Sequence, residues 1–140
     1  MSRVVNTNSP GKRRSHHMRS CAELLRHLSQ KQNVDDETRD MLAAMVFALV
    51  EIDKSIDEAT DAWEKRDYWI KAEQFRERWS WVARTQMALT MLLNEEDWNN
   101  LPTQIVSLLP HFSEITVNKF TRSSDLWDGA YEEFLEANGA

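Results

Sequence analysis

Apolar residues recur three and four positions apart over most of the chain, and this spacing predicts helices. The first stripe predicts a helix over residues 9–32, because Ser9-Pro10 is a typical helix start. The second and third stripes predict helices over residues 35–66 and 68–94. The stripes are Met18, Cys21, Ala22, Leu25 and Leu28; Leu42, Met45, Leu49, Ile52, Ile56, Ala59 and Trp63; and Tyr68, Ala72, Phe75, Trp79, Val82, Leu89 and Leu93.

The second and third helices are expected to meet at a break near Lys65–Asp67. No Gly or Pro lies between them, so the absence of helix-breaking residues permits one long helix. At about 100° per residue, however, the third stripe lies roughly 120° around the helix from the second. A straight helix would therefore change its buried face at this point, and a bend or a new partner is expected.

Shorter elements are expected toward the end of the chain. Pro102 predicts a short helix over 102–109, and the following EITVNKF, residues 114–120, reads as extended or irregular. A last helix is predicted over 124–137, ending at Asn138-Gly139. Its inward side chains are expected to be Leu126, Trp127, Tyr131, Phe134 and Leu135. The prediction is an all-α, compact bundle forming one domain over 9–140, preceded by a flexible arm over 1–8.

Charge is divided unevenly along the chain. Residues 1–31 contain seven bases and one acid, whereas residues 32–140 contain ten bases and twenty-two acids. The predicted partner-binding residues of the basic helix are Lys12, Arg13, Arg14, Arg19 and Arg26. Such a stripe suits nucleic-acid phosphates, an acidic protein or a second copy. It also suits the acids Asp53, Asp57, Asp61 and Glu64 of the second helix, or a plain solvated face on which Glu23 pairs with Arg19 or Arg26.

Some apolar residues fall outside the stripes and suggest a second packed surface. The run Met41–Val50 is apolar on most sides, which is typical of a central helix or of one packed on another chain. Trp69, Ile70 and Trp81 also lie off their stripe. We therefore predict a homodimer whose interface residues are Phe47, Val50, Trp69, Ile70 and Trp81.

Catalytic and metal-binding motifs are scarce. The single Cys21 excludes an internal disulfide, and the chain has no CxxC, HExxH or phosphate-binding loop. A remote alternative is an all-helical Mg²⁺-dependent nucleotide pyrophosphatase, since Glu58/Asp61 and Glu73/Glu77 have suitable spacing, but the paired-glutamate opening motif of those enzymes is missing. We expect no enzyme, no cofactor and no metal. A cytoplasmic location is expected, because no apolar run reaches the roughly 18 residues of a membrane span.

Two stretches, VVNTNSPGKRR and AWEKRDYWIKAEQFRERWSW, resemble a small uncharacterised family of helical bacterial proteins. The resemblance covers the first two-thirds of the chain and includes no catalytic motif. It implies a helical fold and a bacterial origin, and no functional residue is carried over from it. The sequence thus favours a non-catalytic interaction protein that docks its basic helix on an acidic protein or its own second copy, with nucleic-acid binding as the alternative.

Overall fold

A computed structural model describes residues 9–138, and all of the regular structure in that range is helical. The helices are α1 (Pro10–Ser29), α2 (Asp36–Glu64), α3 (Trp69–Arg78), α4 (Trp81–Glu95), α5 (Leu101–Leu108) and α6 (Ala130–Ala137). Three short 3-10 turns join them at Trp98–Asn100, Leu109–Phe112 and Ser124–Leu126. The predicted all-α class is confirmed, whereas the predicted arm over 1–8 lies outside the described residues.

α2 is the central helix of the bundle. It begins at a capping box, in which the Thr38 amide donates to Asp35 Oδ1 at 2.8 Å and Thr38 Oγ1 accepts from the Asp35 amide. α1, α3, α4 and α6 all pack against it. α1 runs antiparallel to α2, because Lys31 contacts Asp35 near one end and Arg13 contacts Glu58 near the other. Central packing within the chain therefore accounts for the apolar run at the start of α2.

The predicted break after α2 is confirmed. α2 ends at Glu64, and Asp67 adopts a left-handed conformation with φ 64°. The Tyr68 amide then donates to the Trp63 carbonyl at 2.9 Å, which closes the turn before α3 begins at Trp69. The left-handed Asp67 thus lies at the point where the sequence predicts that the buried face changes.

The prediction of one continuous helix over 68–94 is wrong. The chain breaks again at Trp79 and Ser80, and α4 is a separate helix. Ser80 Oγ donates to the Glu77 carbonyl at 2.9 Å, a local bond with which serine competes against helix continuation. Val82 is fully buried at the start of α4. Tyr68, assigned to the apolar stripe, is instead 51% exposed.

The end of the chain departs further from prediction. α5 matches the expected short helix to within one residue, and Pro110 lies within the 3-10 turn that follows it. The last helix does not begin at 124, because a 3-10 turn and then Gly129, with φ 76°, precede α6. Phe134 is fully buried as expected, but Leu135 is 41% exposed rather than inward.

The left-handed turn residue provides a test of the first break. Asp67→Val should lower the free energy of unfolding by about 1–2 kcal/mol, because a β-branched side chain is strained at positive φ. Asp67→Gly should show no such loss, since glycine adopts this conformation freely. Urea denaturation measures both, with Arg66→Val as the neighbouring control; equal losses for both valine variants would contradict the assignment.

Candidate interaction surfaces

Three of the five predicted partner-binding bases on α1 are occupied within the molecule. Arg13 forms an ion pair with Glu58 of α2. The Arg14 guanidinium lies 4.9 Å from the centre of the Phe75 ring and 5.5 Å from that of Trp79. Such cation–π contacts stabilise a partly desolvated guanidinium. These two bases therefore fasten α1 to α2 and α3.

Arg19 belongs to a network built around Glu23. Glu23 is 1% exposed, and its carboxylate accepts from Arg19 Nε at 2.7 Å. It also accepts from the backbone amides of Thr121 and Arg122 at 2.8 and 2.9 Å, and from the Thr121 hydroxyl. The predicted Arg19–Glu23 pair is thus present, but Glu23 mainly satisfies donors from a distant part of the chain.

The chain segment that supplies those donors crosses the polar face of α1. We call residues 113–123 the strap; it is irregular, as predicted for 114–120. Arg19 donates to the carbonyls of Thr116 and Lys119 at 3.1 and 2.9 Å. Arg122 Nε donates to Ser20 Oγ at 3.1 Å. Polar groups of α1 therefore hold the strap in place and are covered by it.

The histidines of α1 lie in this packed region. His27 stacks on Phe120 of the strap, with ring centres 3.8 Å apart. His17 is 8% exposed, and burial together with nearby His16 lowers its pKa to about 4. Cys21 is fully buried, and burial raises the pKa of its thiol to about 12, which disfavours the reactive thiolate.

Two of the predicted bases, Lys12 and Arg26, have exposed side chains. No hydrogen bond or ion pair joins either side chain to another residue of the described range 9–138. Lys12 lies in the first turn of α1 and Arg26 about four turns further on. The stripe of five bases is thereby reduced, at the protein surface, to two separated charges.

Some of the acids considered for docking or metal binding form ion pairs within the molecule. Arg76 Nη1 lies 2.6 Å from Glu64 Oε2, and Arg76 Nη2 lies 3.7 Å from Asp61 Oδ1. Burial and the adjacent Asp57 raise the pKa of Asp53. Glu73 and Glu77 are exposed on α3. Over residues 9–138, no three His, Cys, Asp or Glu side chains converge as metal ligands.

The surface at the start of α3 is apolar and open. Tyr68, Trp69 and Ile70 are 51%, 58% and 76% exposed, and with Asp67, Lys71 and Gln74 they line one shallow depression. We call these six residues the α3 surface. Two predicted interface residues, Trp69 and Ile70, thus stand together in it. Consecutive large apolar side chains at this exposure are typical of a surface that another molecule covers.

The other three predicted interface residues pack within the chain. Trp81 stacks on His111 with ring centres 4.0 Å apart, and it meets Phe112 edge-on. Phe47 packs against the core from a half-buried position, and Val50 is half-buried as well. Their burial therefore needs no second chain.

A second apolar depression lies between the end of α1 and α5. It is lined by Leu28, Val34, Trp98, Leu101, Ile105 and their neighbours. Its one base, Lys31, forms ion pairs with Asp35 and Glu37 at 3.0 and 2.6 Å. The charge of that lysine is thus used locally, and the lining does not select a partner of either sign.

Comparison with protein-family models, curated proteins and solved structures finds no match for this chain. The resemblance to a family of helical bacterial proteins therefore stays a prediction. None of the helices in residues 9–138 is long and apolar enough to cross a membrane.

The buried Glu23 provides a pH-dependent test of the strap. Burial alone raises the pKa of Glu23, but hydrogen bonds from Thr121, Arg19 and Arg122 outweigh it and lower the pKa from 4.5 to about 2. The resulting stability is complete above about pH 5 and is lost as the pH falls toward 2.

Glu23→Gln should therefore lower the free energy of unfolding at pH 7 by about 2–3 kcal/mol. This deficit should shrink as the pH falls from about 5 to about 2, because protonated Glu23 is also neutral. Urea titrations across that range measure it, with the exposed Glu136→Gln as control. A deficit independent of pH would show that the charge of Glu23 is not what binds the strap.

The bases of α1 make a separate prediction about stability. Arg14→Ala should lower the free energy of unfolding by about 1–2 kcal/mol, because it removes the contacts with Phe75 and Trp79. Arg26→Ala should change it by less than about 0.5 kcal/mol, since that side chain is exposed. Thermal and urea unfolding compare the two. Equal effects would contradict the division of the basic helix into internal and surface residues.

Proposed function

We propose that this chain is a non-catalytic interaction protein that binds another protein through the α3 surface. The observation that carries the proposal is the exposure of Tyr68, Trp69 and Ile70 side by side at the start of α3. Tyrosine and tryptophan are the residues that most often dominate the binding energy of protein interfaces. Lys71 and Asp67 at the edge of the depression supply a polar rim.

The short length and sparse burial of α3 also support the proposal. Ala72 is its one fully buried residue, and α2 is the helix on which it packs. An isolated helix of 10 residues is marginal in water, since nucleation is costly and few hydrogen bonds repay it. A partner would therefore stabilise α3 more than it would stabilise α1, α2 or α4, each of which already buries a broad apolar face.

The docking mechanism suggested by the sequence changes accordingly. Arg13, Arg14 and Arg19 already have partners within the molecule, so using them to bind an acidic protein or nucleic acid would require breaking those contacts. Lys12 and Arg26 stay accessible as two separate charges. Nucleic-acid affinity depends on how many phosphates are neutralised together. Protein binding through the α3 surface is therefore the better supported function.

Site-specific photocrosslinking in the native host tests this function. A benzophenone amino acid at Gln74, which lines the depression, should form a protein adduct on irradiation. The same residue at exposed Glu136 on α6 should not. Adding Ile70→Glu to the Gln74 variant should abolish the adduct, because it places a charge in the apolar contact. Failure to form any protein adduct at Gln74 would overturn the proposed function.

A further inference from the structure

We infer that the occupant of the α3 surface is a second copy of this chain, with the two α3 surfaces facing each other across a two-fold axis. The inference rests on the proposed function and names its partner. In such a contact each subunit presents the same patch, so the patch must be complementary to itself in shape and charge. The charges around the α3 surface are of both signs, as a self-complementary contact requires.

Most of the chain after α1 would repel a second copy. Residues 64–78 contain five bases and four acids, whereas the other residues from 32 onward contain five bases and eighteen acids. Like charges brought together across an interface oppose association. The stretch that includes the α3 surface is thus close to neutral, and Tyr68, Trp69 and Ile70 are exposed side by side in it.

The order of charges along α3 also suits self-association. Lys65 and Arg66 lie in the turn before α3, Ile70 lies at its start, and Glu73 and Glu77 follow on its exposed side. No ion pair engages any of these four charged residues among the described residues 9–138. An antiparallel pair of α3 helices brings the bases of one copy beside the acids of the other.

The basic helix is a poorer site for the acidic body of a second copy. The strap covers part of its polar face, and Arg13 is neutralised by Glu58 of the same molecule. A purely acidic partner would also be repelled by Glu73 and Glu77, which lie beside the α3 surface on the exposed side of α3. A mixed-sign partner with an exposed apolar centre fits best, and the chain itself has that surface.

Sedimentation velocity of the full-length chain over a range of concentrations tests the inference. The wild type should dimerise reversibly, and Ile70→Glu should weaken the dimer by at least about 30-fold, the loss expected at an interface hot spot. Leu135→Glu is the matched control, because Leu135 is an exposed apolar residue on α6. It should leave dimerisation unchanged. A dimer that withstands Ile70→Glu would overturn the inference.

Two charge-reversal variants test whether the α3 surfaces of two copies contact each other. One variant carries Lys65→Glu and Arg66→Glu, so that its α3 region is acidic. The other carries Glu73→Lys and Glu77→Lys, so that the same region is basic. Each should be monomeric alone, and their equimolar mixture should form a dimer with strong salt dependence. Failure of the mixture to associate, with both variants folded by circular dichroism, would contradict the two-fold contact.

The crosslinking and sedimentation results together separate the two proposals. A Gln74 adduct with the mass of two chains, in a protein that sediments as a dimer, supports both. A protein that is monomeric at every concentration but forms an adduct of another mass overturns the second copy as partner and leaves the proposed function standing. A monomeric protein without an adduct overturns both.

Discussion

The attachment of the strap to the helical bundle depends on the hydrogen bonds that the buried carboxylate of Glu23 accepts. The strap is irregular, and its amides have no helical partners, so their hydrogen bonds must be made elsewhere. Glu23 accepts from two of them and from Arg19, which in turn donates to two strap carbonyls. The Arg19–Glu23 pair of the first helix is thereby the attachment point of a segment about 100 residues away in sequence.

The contacts of the α1 bases change how the basic amino-terminal segment is interpreted. A stripe of bases on a helix resembles a docking site for phosphates or acids when only the sequence is considered. In the folded chain, Arg13, Arg14 and Arg19 contact an acid, two aromatic rings and the strap. Three of the five bases on α1 are thus used in contacts within the molecule. The surface that we propose for a partner is the apolar start of α3, which lies beyond a turn made by the left-handed Asp67.

The sequence predicted the helical class and the break at Lys65–Asp67, because each leaves a local signal in the spacing of apolar residues. For the second helix it left two alternatives, a central position or packing on another chain. It also singled out Trp69 and Ile70. It did not reveal the break at Ser80, where the apolar spacing continues without interruption. Nor did it reveal the roles of Thr121 and Arg122, because irregular segments have no periodicity and their partners are far away in the chain.

What the sequence alone determined is therefore the set of helices and the uneven distribution of charge, both of which follow from residue types and short-range spacing. The tertiary structure decided which charges and aromatic residues stay available. Trp81 and Ile70 both lie off the predicted stripe, yet Trp81 is stacked against His111 while Ile70 is 76% exposed. The difference arises because 3-10 turn residues cover Trp81, whereas α3 is packed on α2 and leaves its outer face uncovered. Trp81 and Ile70 thus share a sequence pattern, and the packing of distant segments decides which of them is covered.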